Sequence, residues 1–356
     1  MTKKHNFYAG PAILPKTVVE QAAEAIHEFS GMGLSLLEIS HRSKQFEAVI
    51  AEAESLILEL MGLGNDYSVL FLSGGASSQF FMIPMNLLGE QETACYINTG
   101  VWASKAIKEA KAFGNVEVLA SSENDRFNHI PKNFNIPASG KYLHITSNNT
   151  IYGSQYHQWP NSPIPLFCDM SSDIFSRRLN FAQFDLIYAG AQKNLGPAGV
   201  TLVVLKKSLM EHTVRKIPAM LQYKTHADNG SMYNTPPVFP IYVTMLTLRW
   251  IKALGLEAIE NRNRKKAETL YHEIDRNPCF NGPVHKDDRS WMNVVFTPNN
   301  PAWEAPFLEF CKQAGCVGLA GHRSVGGFRA SLYNALEQDS VDALVGVMQD
   351  FEKANA

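Results

Sequence analysis

Lys193 is the residue of this 356-residue chain whose setting most invites chemistry. It sits in Gln192-Lys193-Asn194-Leu195-Gly196-Pro197-Ala198-Gly199, between the apolar runs 186–189 and 200–205. That pattern reads as strand–loop–strand. A lysine in a glycine-rich surface turn needs no such setting. A lysine that must approach a flat ligand closely, in a pocket that lowers its pKa, does need it. Asp169, 24 positions upstream, closes another apolar run, 164–168.

Both residues need elements to hold them. Residues 68–72, 95–98, 116–119, 142–145, 166–168, 186–189 and 200–205 read as strands, several of them continuously apolar and some alternating with helical pieces. This predicts an α/β fold with a mostly parallel sheet covered on both faces. Ligands in such sheets sit outside the carboxyl ends of the strands. Ala76, Ser77, Trp102, Thr150, Asp169 and Lys193 all fall shortly after a predicted strand. An acid and a lysine at the ends of neighbouring strands is the arrangement that pyridoxal phosphate enzymes require.

The other candidates leave alternatives open when read alone. The stretch 73–78 leaves amides free for an anion at a helix start, yet such turns are also rich in Gly and Ser for packing. It is neither a Walker loop nor a GxGxxG fingerprint. Trp102, in a turn before a helix over 103–113, reads equally as a stacking ring or as core. Thr150 reads as a loop hydroxyl bonding its own backbone. His41-Arg42 follows a helix over 17–29 and reads in isolation as a solvated turn, although arginine suits a bidentate grip on carboxylate or phosphate. His322, Arg323 and Arg329 lie in the glycine-rich stretch 321–332, which fits an anion site or a solvated loop.

Composition narrows the class. Hydrophobic content of 45% and charged content of 19% suit an ordinary globular protein. A net charge of −2 gives no electrostatic reason to expect nucleic acid or an anionic membrane as partner. Five cysteines without CxxC spacing argue for a reducing compartment and against a disulfide framework or a zinc site. The N-terminus lacks a signal-peptide core and no run reaches membrane-spanning length, so a cytoplasmic location is expected. The length predicts two domains. Residues 1–255 would form the large one, and a charged helix over 258–274 leads into a small α+β domain at 256–356.

Five stretches, in order along essentially the whole chain, closely resemble the phosphoserine aminotransferase family. They are residues 7–15, Ser40-His41-Arg42, the Lys193 loop, residues 229–237 and residues 321–331. The resemblance implies a fold-type-I pyridoxal-phosphate enzyme of class V, a homodimer with active sites shared between subunits. Its substrates would be L-glutamate, 3-phosphohydroxypyruvate and O-phospho-L-serine. Matched position by position, Lys193 would bond to the cofactor and later carry the Cα proton. Asp169 would pair with the pyridinium nitrogen, Trp102 would stack on the ring and Thr150 would bond its phenolic oxygen. Ala76, Ser77 and Gln192, with Asn234 and Thr235 of the partner subunit, would hold the cofactor phosphate. Arg329 would take the substrate α-carboxylate. His322 and Arg323, with His41 and Arg42 of the partner subunit, would hold the distal anion. This chain has Ser77 where some members carry arginine, and Ala9 where others carry serine. A cysteine desulfurase of the same fold type would need a mobile catalytic cysteine, whereas Cys311 and Cys316 fall in or beside predicted regular structure.

Overall fold

The computed structural model describes residues 3–211 and 214–355. The chain opens on a two-residue strand, β1 (His5–Asn6), followed by α1 (Lys16–His27) and α2 (Lys44–Met61). Ser43 caps α2 by accepting a hydrogen bond from the Phe46 amide, and left-handed Gly62 ends it.

Seven strands then build the main sheet: β2 (Tyr67–Leu72), β3 (Thr93–Asn98), β4 (Asn115–Ser121), β5 (Leu143–Thr146), β6 (Leu166–Asp169), β7 (Leu186–Gly190) and β8 (Thr201–Lys206). Their spatial order is β2-β8-β7-β6-β5-β3-β4. Neighbours are parallel except that β8 runs antiparallel to β2 and β7. The exception has a simple cause. The Lys193 loop is too short for a parallel crossover, so the chain can only fold straight back.

The continuously apolar strands are explained by burial on both faces. Ile187 and Ala189 of β7 join one buried cluster with α1 and α2, while Leu186 and Tyr188 join another with α3 (Gly75–Leu87) and α4 (Val101–Ala110). Each large side chain so covered contributes roughly 1.5–3 kcal/mol.

After a short α5 (Tyr223–Asp228), the long helices α6 (Val238–Leu254) and α7 (Leu256–Arg276) meet at Gly255. A second core follows, built on β9 (Phe280–Asn281), β10 (Asn293–Pro298) and β12 (Phe328–Ser331) in the order β12-β10-β9. Helices α8 (Glu304–Gln313) and α9 (Gln338–Asn355) cover it, and β11 (Cys316–Val317) pairs with β1. Phe7 is buried in this second core together with Phe280, Phe307 and Phe328.

Four expectations need correction. Helix α3 starts at Gly75, so Ala76 and Ser77 belong to its first turn rather than to a loop before it. Helix α4 starts at Val101, which puts Trp102 inside the helix. Asp169 ends β6 instead of following it. Arg329 stands on β12 and not in a loop, because Phe328, Ala330 and Leu332 alternate into the second core.

Candidate active site

The carboxyl ends of β5, β6 and β7 bring Thr150, Asp169 and Lys193 together, as the strand pattern requires. Lys193 Nζ donates to Thr150 Oγ1 at 2.7 Å and lies 5.7 Å from the centroid of the Trp102 ring. Burial brings its pKa down to about 8; nearby Asp169 opposes that shift and nearby Arg329 adds to it. A lysine so placed is available as a base near neutral pH.

Asp169 is 5% exposed. Its Oδ1 accepts from the Ser171 amide at 2.9 Å and from Ser171 Oγ at 2.6 Å. Burial raises its pKa, while the Ser171 hydroxyl and Lys193 pull it down. Among the described residues no cation reaches salt-bridge distance of this carboxylate, so the site holds a buried acid that a cationic ring nitrogen would satisfy.

An anion cradle lies at the start of α3. Gly74 is left-handed at φ 103° and caps the helix without a side chain. A Cβ there would come within 3.0 Å of Ser78, so glycine is required. The first amides of α3, those of Ala76 and Ser77 among them, are left uncapped for a phosphate. A cavity of about 310 Å³ adjoins it, lined by Gly74, Ser78, Ser231 and Asn234.

Arg329 is tied to the same pocket from the second core. Its Nη1 donates to the Thr150 carbonyl at 3.3 Å, and its Nε is buried without a partner. Burial lowers its pKa slightly within the always-charged range of arginine. His322 feels Arg329, Arg323 and Lys105, which together with burial depress its pKa. His322 thus lies among three cationic side chains, one of which, Arg329, also acts on Lys193.

The protomer does not bring in every predicted residue. Among the described residues no hydrogen bond joins His41, Arg42, Asn234 or Thr235 to the Lys193 group. Arg42, Asn234 and Thr235 are exposed, and His41 Nε2 is buried without a partner. Gln192 contributes through its backbone, its carbonyl accepting from Ala12 N at 2.9 Å.

Other residues were not singled out from the sequence. Gly10 presses on the lysine stem, where a Cβ would lie 3.2 Å from Lys193 Cγ. Tyr333 Oη donates to the Ala9 carbonyl at 2.8 Å, and Asn334 N donates to Asn194 Oδ1 at 3.0 Å. Ser171, two residues beyond Asp169, could have been found from the serine-rich run that follows it. Lys105 could have been found from its spacing of three residues beyond Trp102.

Comparison with known proteins agrees with this geometry. The family profile described as aminotransferase class-V matches residues 4–344. The phosphoserine aminotransferase of Flavobacterium psychrophilum is 57% identical over 352 residues, covering 98% of this chain and 99% of that protein. A solved phosphoserine aminotransferase from Bacillus circulans subsp. alkalophilus superposes with a TM-score of 0.97 at 46% identity, covering 99% of each chain. The structure of PLP-bound phosphoserine aminotransferase from Trichomonas vaginalis gives 0.93 at 35% identity, covering 98% of this chain and all of that one. The chain belongs to the class-V aminotransferases and, within them, to the phosphoserine aminotransferase family.

Proposed function

We propose that this chain uses pyridoxal phosphate to move the amino group between L-glutamate and 3-phosphohydroxypyruvate, giving O-phospho-L-serine and 2-oxoglutarate. The observation that carries the reading is Lys193. Its desolvated amine is held by Thr150, faces Trp102 and shares a pocket with a buried, unpaired Asp169. The donor set fits the cofactor: an amine for the aldehyde, an indole face for the ring, an acid for the ring nitrogen and an uncapped helix N-terminus for the phosphate. Bound there, the cofactor supplies an electron sink for the charge left on a substrate Cα when its proton departs.

The chain's own residues do the rest. Lys193 Nζ takes the Cα proton and returns it, for which a pKa of about 8 is well placed. Asp169 holds a proton on the ring nitrogen, and the Ser171 hydroxyl and amide keep its carboxylate charged and oriented. Trp102 covers the ring, Thr150 steadies the phenolic oxygen, and the amides of Ala76 and Ser77, with Gln192, receive the phosphate. Arg329 takes the α-carboxylate, and its unpartnered Nε leaves a donor available. His322 and Arg323 take the distal phosphate or carboxylate, Arg323 as the cation and His322, its pKa depressed, as a hydrogen-bond donor.

The reading includes a homodimer, in which the partner subunit's His41 and Arg42 complete the distal pocket and the partner subunit's Asn234 and Thr235 complete the phosphate cup. Exposed Leu34, Leu37 and Tyr233 beside these residues are apolar surface suited to such an interface. A division at Gly255 into a large domain and a small one, in a cytoplasmic protein, belongs to the same reading. All five cysteines are buried and free, and among the described residues no helix is long and apolar enough to cross a membrane.

The test is the visible spectrum of purified protein with pyridoxal phosphate, before and after O-phospho-L-serine. A yellow band that bleaches supports cofactor, half-reaction and substrate at once. A band indifferent to phosphoserine but responsive to another amino acid moves the substrate. No band sinks the role of Lys193. Mixing Arg42→Ala with Lys193→Ala protomers tests the shared site: activity should reappear after subunit exchange, and its absence would count against the dimer reading.

A further inference from the structure

Lys105 stands one helical turn beyond Trp102 on α4, and the i, i+3 spacing puts both side chains on one face. Its Nζ lies 4.7 Å from the centroid of the Trp102 ring, the same ring that Lys193 Nζ approaches at 5.7 Å. It is also close enough to His322 for its charge to be felt there beside those of Arg329 and Arg323. Some lysines of the chain find acids, as Lys224 does in Asp228 at 2.8 Å and Lys141 in Glu92 at 2.8 Å. Among the described residues no acid comes within salt-bridge distance of Lys105. Its ammonium, on an exposed side chain, is therefore an uncompensated charge held beside the indole by cation–π attraction.

We propose that Lys105 is a further residue of the distal anion pocket, adding its charge to that of Arg323 and so favouring the phosphorylated substrate pair over the glutamate pair. The inference rests on the distal-anion reading given above. Its logic is electrostatic. A phosphate monoester carries a charge of about −1.5 to −2 at neutral pH, whereas the side-chain carboxylate of glutamate carries one. Coulomb energy scales with ligand charge, so a cation worth about tenfold in affinity to the dianion is worth about threefold to the monoanion. Lys105 is thus a specificity residue, not one required for proton transfer.

The experiment compares half-reaction kcat/KM for phosphoserine and for glutamate in the holoenzyme, in Lys105→Met, Lys105→Gln and Lys105→Arg. Methionine keeps the stem over Trp102 and removes the charge, glutamine is a second neutral variant, and arginine restores the charge. The expected result is a loss of about tenfold on phosphoserine and about threefold on glutamate in both neutral variants, with the ratio recovered by arginine. The gap should shrink at high salt, where the Debye length falls to about 3 Å. Equal losses on both substrates would mean that Lys105 only packs the ring and would overturn the proposal, as would no loss at all. Arg323→Ala separates the two levels. If it costs phosphoserine selectively while the Lys105 variants do not, the inference alone falls. If it too leaves phosphoserine untouched, the distal-anion reading falls first.

Discussion

Lys193 and Lys266 both have amines that burial makes less basic, and they differ in how completely those amines are satisfied. Lys266, on α7, is 1% exposed, and its Nζ donates to the carbonyls of Leu332, Tyr333 and Leu336 at 2.7, 2.8 and 2.9 Å. Burial drives its pKa well below the ordinary value, with Arg262 adding to the shift, while three carbonyl oxygens lie within hydrogen-bond reach, as many as an ammonium has hydrogens. Lys193, half-buried, meets a milder desolvation with one hydroxyl partner, Thr150, and the face of an indole. Burial alone therefore does not make a lysine reactive. An amine with every hydrogen committed acts as a clamp, whereas one left with a single bond is free to form others.

The comparison is sharpest if each lysine is removed in turn. Lys193→Ala should keep the fold and cost transamination at least about a thousandfold, roughly 4 kcal/mol in the barrier, read from turnover with phosphoserine. Ordinary turnover in that variant would remove the distinction altogether. Lys266→Met should do the reverse. Taking the Lys266 donor from three carbonyls, of which, among the described residues, only that of Tyr333 keeps another partner in the Leu336 amide, should lower stability by about 3 kcal/mol in urea titration, while the cofactor spectrum of the folded fraction stays normal. A smaller effect is expected from protonation alone. The folded pKa of Lys193, about 8, lies below its ordinary 10.5, so between these values the unfolded chain binds the extra proton. Cofactor-free protein should accordingly gain stability as pH rises from about 8 to about 10.5, and below about 8 it should carry the full penalty, at most about 3 kcal/mol. Lys193→Met should remove that slope and be the more stable protein at neutral pH. A parallel pH profile for the two would show that the amine is not desolvated. The smallest expected change is in Arg42→Ala, about tenfold weaker binding of phosphoserine and glutamate with the cofactor spectrum unaltered. Unchanged affinity for both would remove Arg42 from the distal pocket.

Lys193 was legible in the sequence as a candidate and the buried Lys266 was not, for a physical reason. Strands covered on both faces must be apolar throughout, so a charged residue at or just past their ends stands out, as Asp169 and Lys193 do. Helix α7 reads as a charged, solvated helix, and nothing in its spacing reveals that Asn263, Lys266 and Glu273 are buried. Their partners are backbone carbonyls and side chains far along the chain, such as Asn334 for Asn263, which periodicity does not see. Arg329 was found through the family resemblance, but its place on β12 was hidden by the glycines before it. Lys105 sat in a helix taken to start after Trp102, so its alignment with the ring was lost.

The pairing of β1 with β11, in register from His5 to Cys316, has a consequence for synthesis. On a ribosome the first strand emerges long before its partner exists, and Phe7 has no second core to enter until the last third of the chain has followed. The segment that lays Ala9 on Tyr333 and Gly10 on the Lys193 stem is therefore fixed last, although it is made first. A nascent chain can complete its large sheet and still lack a finished pocket, which should close only as translation ends.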